Sequence, residues 1–309
     1  MKKVFIDGKA GTTGLRIEER LSGRDDIEIV TIPEELRKDP AAKKEILNSV
    51  DIAFLCLPDQ ASIESVSLIE NENVVVIDTS TAHRTNDNWA YGFPELDKSF
   101  ENKIRNSKRI AVPGCHASGF IALVYPLVKN GIISPDTLLT AHSLTGYSGG
   151  GKNMIAQYED DELDTLLQGP RQYGLTQKHK HLPEMLKVTG LKNAPVFCPI
   201  VGTFYSGMEV TVPLFKSQLL KGGIEDIKEI YKKAYNTPLV SYVEAGDENG
   251  FLSSVKLEGK DSMQIEVYGN EDRILLVARY DNLGKGASGA AVECLNIVLG
   301  AEKTKTLEI

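Results

Sequence analysis

The sequence predicts a two-domain chain of mixed class, α/β followed by α+β. Three observations predict it. A glycine-rich loop joins an apolar strand to an amphipathic helix near the amino terminus. Short strands then alternate with helices through residues 27–112. From residue 137 onward the pattern changes to longer strands in which apolar and polar residues alternate. At 309 residues the chain is long enough for two cores.

Val4-Phe5-Ile6-Asp7 reads as a strand that runs straight into Gly8-Lys9-Ala10-Gly11-Thr12-Thr13-Gly14, followed by a helix with Leu15, Ile17 and Leu21 on its apolar face. Glycines let the backbone approach a pyrophosphate closely, and a helix N-terminus attracts its charge. The spacing is G-x-x-G-x-x-G, one residue off the usual fingerprint, so the loop alone also reads as a ligand-free βα turn. Ile27–Ile32, Asp51–Leu57 and Val74–Asp78 read as further strands, and Ala41–Val50 and Ser62–Glu70 as helices. Alternation of this kind predicts a parallel, doubly wound sheet with its ligand crevice at the carboxyl ends of the strands. Asp7-Gly8, Leu57-Pro58, Asp78-Thr79-Ser80 and Val112-Pro113-Gly114 would open there.

Glu34 and Glu35 stand where an NAD enzyme carries its ribose-binding carboxylate, whereas nearby Arg37 suits a 2′-phosphate, so the cofactor type stays open at this point. Arg84 either clamps an anionic group with its guanidinium fork or pairs with Asp87 at the surface. His83 reads as structural, and Trp89, Tyr91 and Phe93 as packing.

The stretch from Arg109 to Gly119 carries the chemistry. Ile110–Val112 is a short strand, Pro113-Gly114 a corner, and Cys115 stands at the start of an apolar helix expected over Ala117–Lys129. Unpaired N–H groups and the positive end of the helix dipole favour the thiolate there. Cys56, Cys198 and Cys294 lie in apolar stretches and read as core residues of a reducing compartment.

In the second half, Met208, Val210, Val212 and Leu214 alternate with polar residues, and Ser262–Tyr268 and Arg273–Tyr280 form a hairpin across Gly269-Asn270. One face of such a sheet could serve as a dimer interface. Gly146–Lys152 reads as a flexible loop, either wrapping a substrate or connecting elements. His179 and His181 lack a third metal ligand, so one of them as general acid/base for a thiol is the stronger use. His116 and His142 read as ordinary hydrogen-bonded or surface residues. The last helix, with Ala287, Cys294 and Ile297 on its apolar face, is expected to return to the first domain, and the tail from Ala301 to fray.

Net charge of -8 argues against nucleic acid or an anionic membrane as partner. The absence of a signal peptide and of a membrane-length apolar run predicts a cytoplasmic chain. No cysteine or histidine spacing suggests a metal. A dinucleotide loop, an activated cysteine and a histidine base together suggest thiolate attack on an activated acyl group, with hydride exchanged with a nicotinamide. An acyl phosphate fits as substrate, because phosphate leaves readily.

Pro113-Gly114-Cys115-His116-Ala117-Ser118-Gly119, the Gly8–Gly14 loop, Lys178-His179-Lys180-His181-Leu182-Pro183-Glu184 and Asn282–Ala291 together resemble the N-acetyl-γ-glutamyl-phosphate reductase family in its shorter form. The resemblance covers essentially the whole chain. It implies NADPH-dependent reduction of N-acetylglutamyl 5-phosphate to the 5-semialdehyde, a step of arginine biosynthesis, through a cysteine thioacyl intermediate. By position it implies Cys115 as nucleophile and His181 as acid/base. Gly8, Gly11, Thr12, Thr13, Gly14 and Gly286 would hold NADP(H), and Arg84, Tyr173 and Ser118 the substrate. It further implies a Rossmann-like nucleotide domain over 1–114 and 283–309, a catalytic and dimerisation domain over 115–282, and a homo-oligomer, dimer or tetramer. His116 departs from the tyrosine of the longer form, and Glu34-Glu35 departs from a Ser-Arg 2′-phosphate site. An aspartate-semialdehyde-type dehydrogenase acting on another acyl phosphate is the alternative. A Cys–His hydrolase or a nucleotide sensor is disfavoured by the glycine loop and by the Cys115/His181 pair, respectively.

Overall fold

The computed structural model describes residues 1–37 and 39–309. The chain divides into two compact units, one comprising 1–94, 98–114 and 287–307, the other 95–97, 115–286 and 308–309. No helix among the described residues is long and apolar enough to cross a membrane.

In the first unit the order is β1 (Lys2–Asp7), α1 (Thr12–Leu21), β2 (Ile27–Val30), α2 (Pro40–Ser49), β3 (Ile52–Leu55), α3 (Asp59–Ser67), β4 (Val75–Asp78), β5 (Ala90–Tyr91), α4 (Lys98–Asn106) and β6 (Arg109–Ala111). The sheet runs β2-β1-β3-β4-β6-β5 and is parallel throughout. Its central strands β3 and β4 are buried along their whole length, as a sheet covered on both faces requires. Successive residues face opposite ways. Val4, Ile6, Phe54 and Ile77 pack with Ile17 and Leu21 of α1, while Phe5, Ala53, Leu55 and Val76 pack with Leu47 of α2. Helix α2 begins with Pro40 and is capped by the Asp39 carboxylate, which accepts from the Ala41 N–H at 3.0 Å.

The last helix, Gly289–Leu299, belongs to this unit. Its Ala291, Cys294 and Leu295 join the Val4 cluster. The tail beyond it does not fray. The Asn296 amide donates to the Lys303 and Lys305 carbonyls at 3.0 and 2.9 Å, Lys303 pairs with Glu101 at 2.9 Å, and Leu307 packs on the core. These contacts come from single polar side chains that carry no periodic signal.

The second unit contains α5 (Cys115–Lys129), β7 (Thr140–Thr145), α6 (Gly151–Tyr158), β8 (Arg171–Gln172), α7 (Leu182–Thr189), β9 (Val196–Val201), β10 (Met208–Phe215), α8 (Ile224–Ala234), β11 (Val240–Tyr242), β12 (Met263–Gly269) and β13 (Arg273–Tyr280); the last helix above is α9. Its mixed sheet runs β11-β12-β13-β10-β7-β9-β8. The β12–β13 hairpin forms as its sequence suggests, closed by Asn270 N–H donating to the Arg273 carbonyl at 2.9 Å. Met208, Val210, Val212 and Leu214 face inward, and α5 packs on β10 and β13. Thr211, Pro213 and Phe215 face the other way, and Phe215 is 63% exposed.

Helix α5 contains Pro126, which has no N–H to give the Ala122 carbonyl. The buried Tyr235 hydroxyl donates to that carbonyl instead, at 2.6 Å. The stretch 146–152 is ordered rather than flexible: one 3-10 turn over Tyr147–Gly150 leads into α6. Its Gly146, Tyr147 and Ser148 N–H groups donate to the carbonyls of Gly207, Phe204 and Tyr205 at 3.0, 2.9 and 3.0 Å. These three donors are therefore spent on a neighbouring loop. Lys285 and Glu95 form a deeply buried ion pair at 2.7 Å, an arrangement whose loss of either partner strands a charge.

Candidate active site

Within the first unit, strands β1, β3, β4 and β6 end at the same edge of the parallel sheet. A cavity of 640 Å³ lies beside the first two, lined among others by Gly8, Gly11, Glu34, Arg37, Lys43 and Pro58. Gly8 adopts φ +82°, and a Cβ there would sit 2.3 Å from the Cys56 carbonyl oxygen. A Cβ on Gly14 would come within 2.6 Å of the Gly8 carbonyl oxygen. Only glycine keeps this loop tight against the sheet. Gly11 is the N-cap of α1, and Thr12 and Thr13 are its first residues, half-buried. These positions form a cradle into which backbone N–H groups and a helix N-terminus can receive a pyrophosphate.

The cations in the cavity wall are paired. Lys9 meets Glu18 at 3.3 Å, Arg37 meets Glu34 at 3.1 Å, and Lys43 meets Asp7 at 3.0 Å. Burial, helped by the Asp78 and Asp7 carboxylates, pushes the Cys56 thiol up to about 12, so Cys56 stays protonated and inert.

Arg84 is buried in the first unit. Its Nε donates to the Val112 carbonyl and an Nη to the Thr79 carbonyl, each at 2.8 Å. It ties the chain leaving β4 to the chain leaving β6. His83 bonds Asp78 at 2.6 Å and stacks on Trp89 with ring centroids 4.0 Å apart, the structural setting its sequence suggests.

In the second unit Cys115 opens α5 and is partly exposed. The helix begins two residues earlier than its apolar pattern indicates, so the cysteine lies inside the first turn. The Tyr280 hydroxyl enters that turn: it donates to the Cys115 carbonyl at 2.6 Å and accepts from the Gly119 N–H at 3.0 Å. It thus stands in the gap of the bond that would otherwise close the turn. Gly119 permits this approach, since a Cβ there would lie 2.7 Å from the Tyr280 oxygen. Gly286 lies against Cys115: its own Cβ, were there one, would be 3.1 Å from that of Cys115. Ser118 is buried one turn along α5.

His116, His179 and His181 gather around one another. Ring centroids are 5.6 Å apart for His116–His179, 5.7 Å for His116–His181 and 4.7 Å for His179–His181. Phe197 of β9 packs edge-on against His116 and His179. His116 Nδ1 lies 2.6 Å from the Ser143 hydroxyl, and Nε2 lies 2.6 Å from the Tyr173 hydroxyl. Burial, with His179 nearby, pushes His116 down to about 3. Burial, with Lys180 nearby, pushes His179 down to about 4. Both rings are neutral at ordinary pH. His181 is buried and forms the N-cap of α7, and its N–H donates to His179 Nδ1 at 3.2 Å. That bond fixes the His179 proton on Nε2. Burial and then the charge of Cys115 raise the Tyr173 hydroxyl.

Cys115, Ser118, Tyr173, His181 and Gly286 therefore belong to one unit, while Gly8, Gly11, Thr12, Thr13, Gly14 and Arg84 belong to the other. Sequence reasoning did not single out His116 as part of the cluster. Its adjacency to Cys115 was the available signal. It also passed over Arg171, two residues before Tyr173. The Arg171 Nε donates to the Tyr158 hydroxyl at 3.1 Å, and its guanidinium lies over that ring, 5.2 Å from the centroid.

Two family models match the chain: the semialdehyde dehydrogenase NAD binding domain over residues 12–105 and the semialdehyde dehydrogenase dimerisation domain over residues 115–282. Among curated relatives, the N-acetyl-gamma-glutamyl-phosphate reductase of Sinorhizobium medicae is 46% identical over 307 residues, covering 97% of this chain and 99% of that protein. That of Chelativorans sp. is 47% identical, covering 96% and 98%. Among solved structures, aspartate semialdehyde dehydrogenase II of Vibrio cholerae, complexed with ASA, superposes with a TM-score of 0.73 at 17% identity, covering 97% and 98%. Aspartate semialdehyde dehydrogenase of Candida albicans, solved with NADP, gives 0.70 at 16% identity, covering 97% and 99%. The two structures establish likeness of fold alone. The near full-length identity to the reductases reaches further, and by it this chain belongs to the N-acetyl-gamma-glutamyl-phosphate reductase family, built on semialdehyde dehydrogenase domains.

Proposed function

We propose that this chain reduces N-acetyl-γ-glutamyl 5-phosphate to N-acetylglutamate 5-semialdehyde and phosphate, with NADPH, as a step of arginine biosynthesis. One observation carries the reading. A cysteine opens a helix, and the residue after it touches both His181 and Tyr173. The names of relatives at 44–47% identity supply the substrate.

The Cys115 sulfur attacks the acyl carbon. A C–S bond forms, the C–O bond to phosphate breaks, and phosphate leaves with the electron pair. His181 takes the thiol proton as the sulfur attacks, and hydride addition to the thioester carbon leaves a hemithioacetal oxyanion on Cys115, whose oxygen re-forms the C=O bond as the sulfur leaves with the C–S electron pair. Breaking the C–S bond then releases the aldehyde and restores the thiolate. The Gly8–Gly14 cradle would hold the dinucleotide by its pyrophosphate, and NADPH bound there would supply the hydride for reduction of the thioester. Arg37, Lys43 and Lys9 are the cations that a 2′-phosphate would draw from their present carboxylate partners. Gly286 and Ser118 shape the space around the nucleophile. Arg84 braces the strand ends rather than reaching for phosphate, because two of its donors are committed to carbonyls.

Arg171 takes the carboxylate at the far end of the substrate. It lies two residues before Tyr173, about 7 Å away if the chain keeps the usual extended rise of about 3.3 Å per residue. Tyr158 holds it in place, and it has no carboxylate partner among the described residues. Arg171→Ala is expected to raise KM for the semialdehyde about tenfold or more, the size of a hydrogen bond to a charged group, with kcat changed less than about threefold. Steady-state kinetics at saturating cofactor read this split.

The assay that tests the function runs in reverse, with N-acetylglutamate semialdehyde, inorganic phosphate and NADP+ or NAD+. Phosphate-dependent reduction of NADP+ is the expected result, faster than with NAD+. Equal or better turnover of aspartate semialdehyde would overturn the substrate assignment. We further propose a homo-oligomer, dimer or tetramer, joined through the outer sheet face that carries Phe215 and Leu275, and a cytoplasmic location in keeping with four free thiols.

A further inference from the structure

We propose that Ser143 and His116 are positioning residues that hold the Tyr173 oxygen as a hydrogen-bond acceptor and so leave its hydroxyl proton to donate within the site. The three groups form a chain of two hydrogen bonds, Ser143 Oγ to His116 Nδ1 and His116 Nε2 to the Tyr173 oxygen, each 2.6 Å. The inference rests on the reductase reading for its kinetic consequence but not for its geometry.

A neutral imidazole carries one proton, so two arrangements of the chain are possible. In the first, Ser143 donates to Nδ1, and Nε2–H donates to the Tyr173 oxygen. The Tyr173 proton is then left to point elsewhere. In the second, Nδ1–H donates to Ser143, and Tyr173 donates to Nε2. The Ser143 proton then needs another acceptor. Ser143 is fully buried on β7, and His116 is the only hydrogen-bond partner of its hydroxyl among the described residues. The second arrangement thus strands a donor in the core, a penalty that favours the first by roughly fivefold to 150-fold. Tyr173 is only half-buried, so its proton can meet a partner in the site. His116, which holds the Tyr173 oxygen, directly follows Cys115 in the chain, and burial and then the charge of Cys115 raise the Tyr173 hydroxyl. A phenol whose proton is left free in this way can stabilise negative charge in the site as the C–S bond forms and breaks. The cluster around His116 holds this state: burial keeps the ring neutral, and Phe197 and His179 pack edge-on against it.

Long-range 1H–15N NMR of the 15N-labelled protein tests the chain without any substrate, with the His116 signals identified by their loss in His116→Gln. A single Nε2–H tautomer is expected, and an Nδ1–H tautomer would overturn the proposal even if the enzyme proves to be the reductase. Kinetics supply a second reading. His116→Gln should lower kcat about tenfold with KM changed less than about threefold. In a Tyr173→Phe background the same substitution should change kcat by less than about twofold, because a residue acting through Tyr173 has nothing left to aim. Losses that simply multiply would reject the mechanism, whereas failure of all variants and of the wild type to turn over the semialdehyde would reject the substrate assignment instead.

Discussion

Cys115→Ser is expected to lower phosphate-dependent turnover by on the order of 10⁴-fold or more, the scale on which removal of a nucleophile registers in kcat. A serine hydroxyl fits the same space but is far less acidic than a thiol and stays protonated. His116 and His179 are neutral but weakly basic, pushed by burial to about 3 and 4. NADP(H) affinity should be unchanged, because the Gly8–Gly14 cradle and its cavity lie in the other unit. Fluorescence titration with NADPH beside the reverse assay checks both halves. A serine variant that keeps more than a tenth of the activity would remove the covalent intermediate from the account. Iodoacetamide should inactivate the wild type and leave Cys56 unmodified, since burial holds that thiol near 12.

His181→Asn should slow turnover by roughly 10²- to 10⁴-fold, the range of a lost general acid/base. The choice between the two histidines of the His-x-His pair follows from one bond. His179 Nδ1 accepts the His181 N–H, which commits its basic nitrogen to the backbone. His179→Asn should therefore cost much less. The pH–rate profile separates them further. His116 and His179 titrate at about 3 and 4, so neither can produce a limb between about pH 5 and 8. A limb in that window that vanishes in His181→Asn assigns it to His181. If it persists there, the proton is carried by another group or by water.

Much of this architecture is legible in the sequence because its signals are local. Strand, glycine loop and helix at residues 2–21 and the hairpin of β12 and β13 follow from periodicity and turn chemistry. Cys115 stands out through its Pro-Gly corner. What stays illegible depends on contacts distant in sequence. Gly146–Lys152 looks mobile because nothing in its composition announces the carbonyls of residues 204–207. His116 looks ordinary because its partners, Ser143 and Tyr173, are 27 and 57 residues away. The bonds of Arg84 to the Val112 and Thr79 carbonyls are likewise unannounced, and its sequence reads equally as an anion clamp or a surface partner of Asp87, because those acceptors lie on different strand ends. Polar side chains satisfied at long range leave no pattern to read, whereas apolar faces do.

The hydroxyl of Tyr280, wedged between the Cys115 carbonyl and the Gly119 amide, transfers custody of Cys115 from its own helix to strand β13. Helix ends ordinarily loosen first, yet this one is pinned to a long central strand paired on both sides. Amide exchange at Gly119 should accordingly keep pace with the sheet rather than with the terminal turns of other helices. The Cys115 sulfur thereby inherits the steadiness of the most extensively bonded part of its unit.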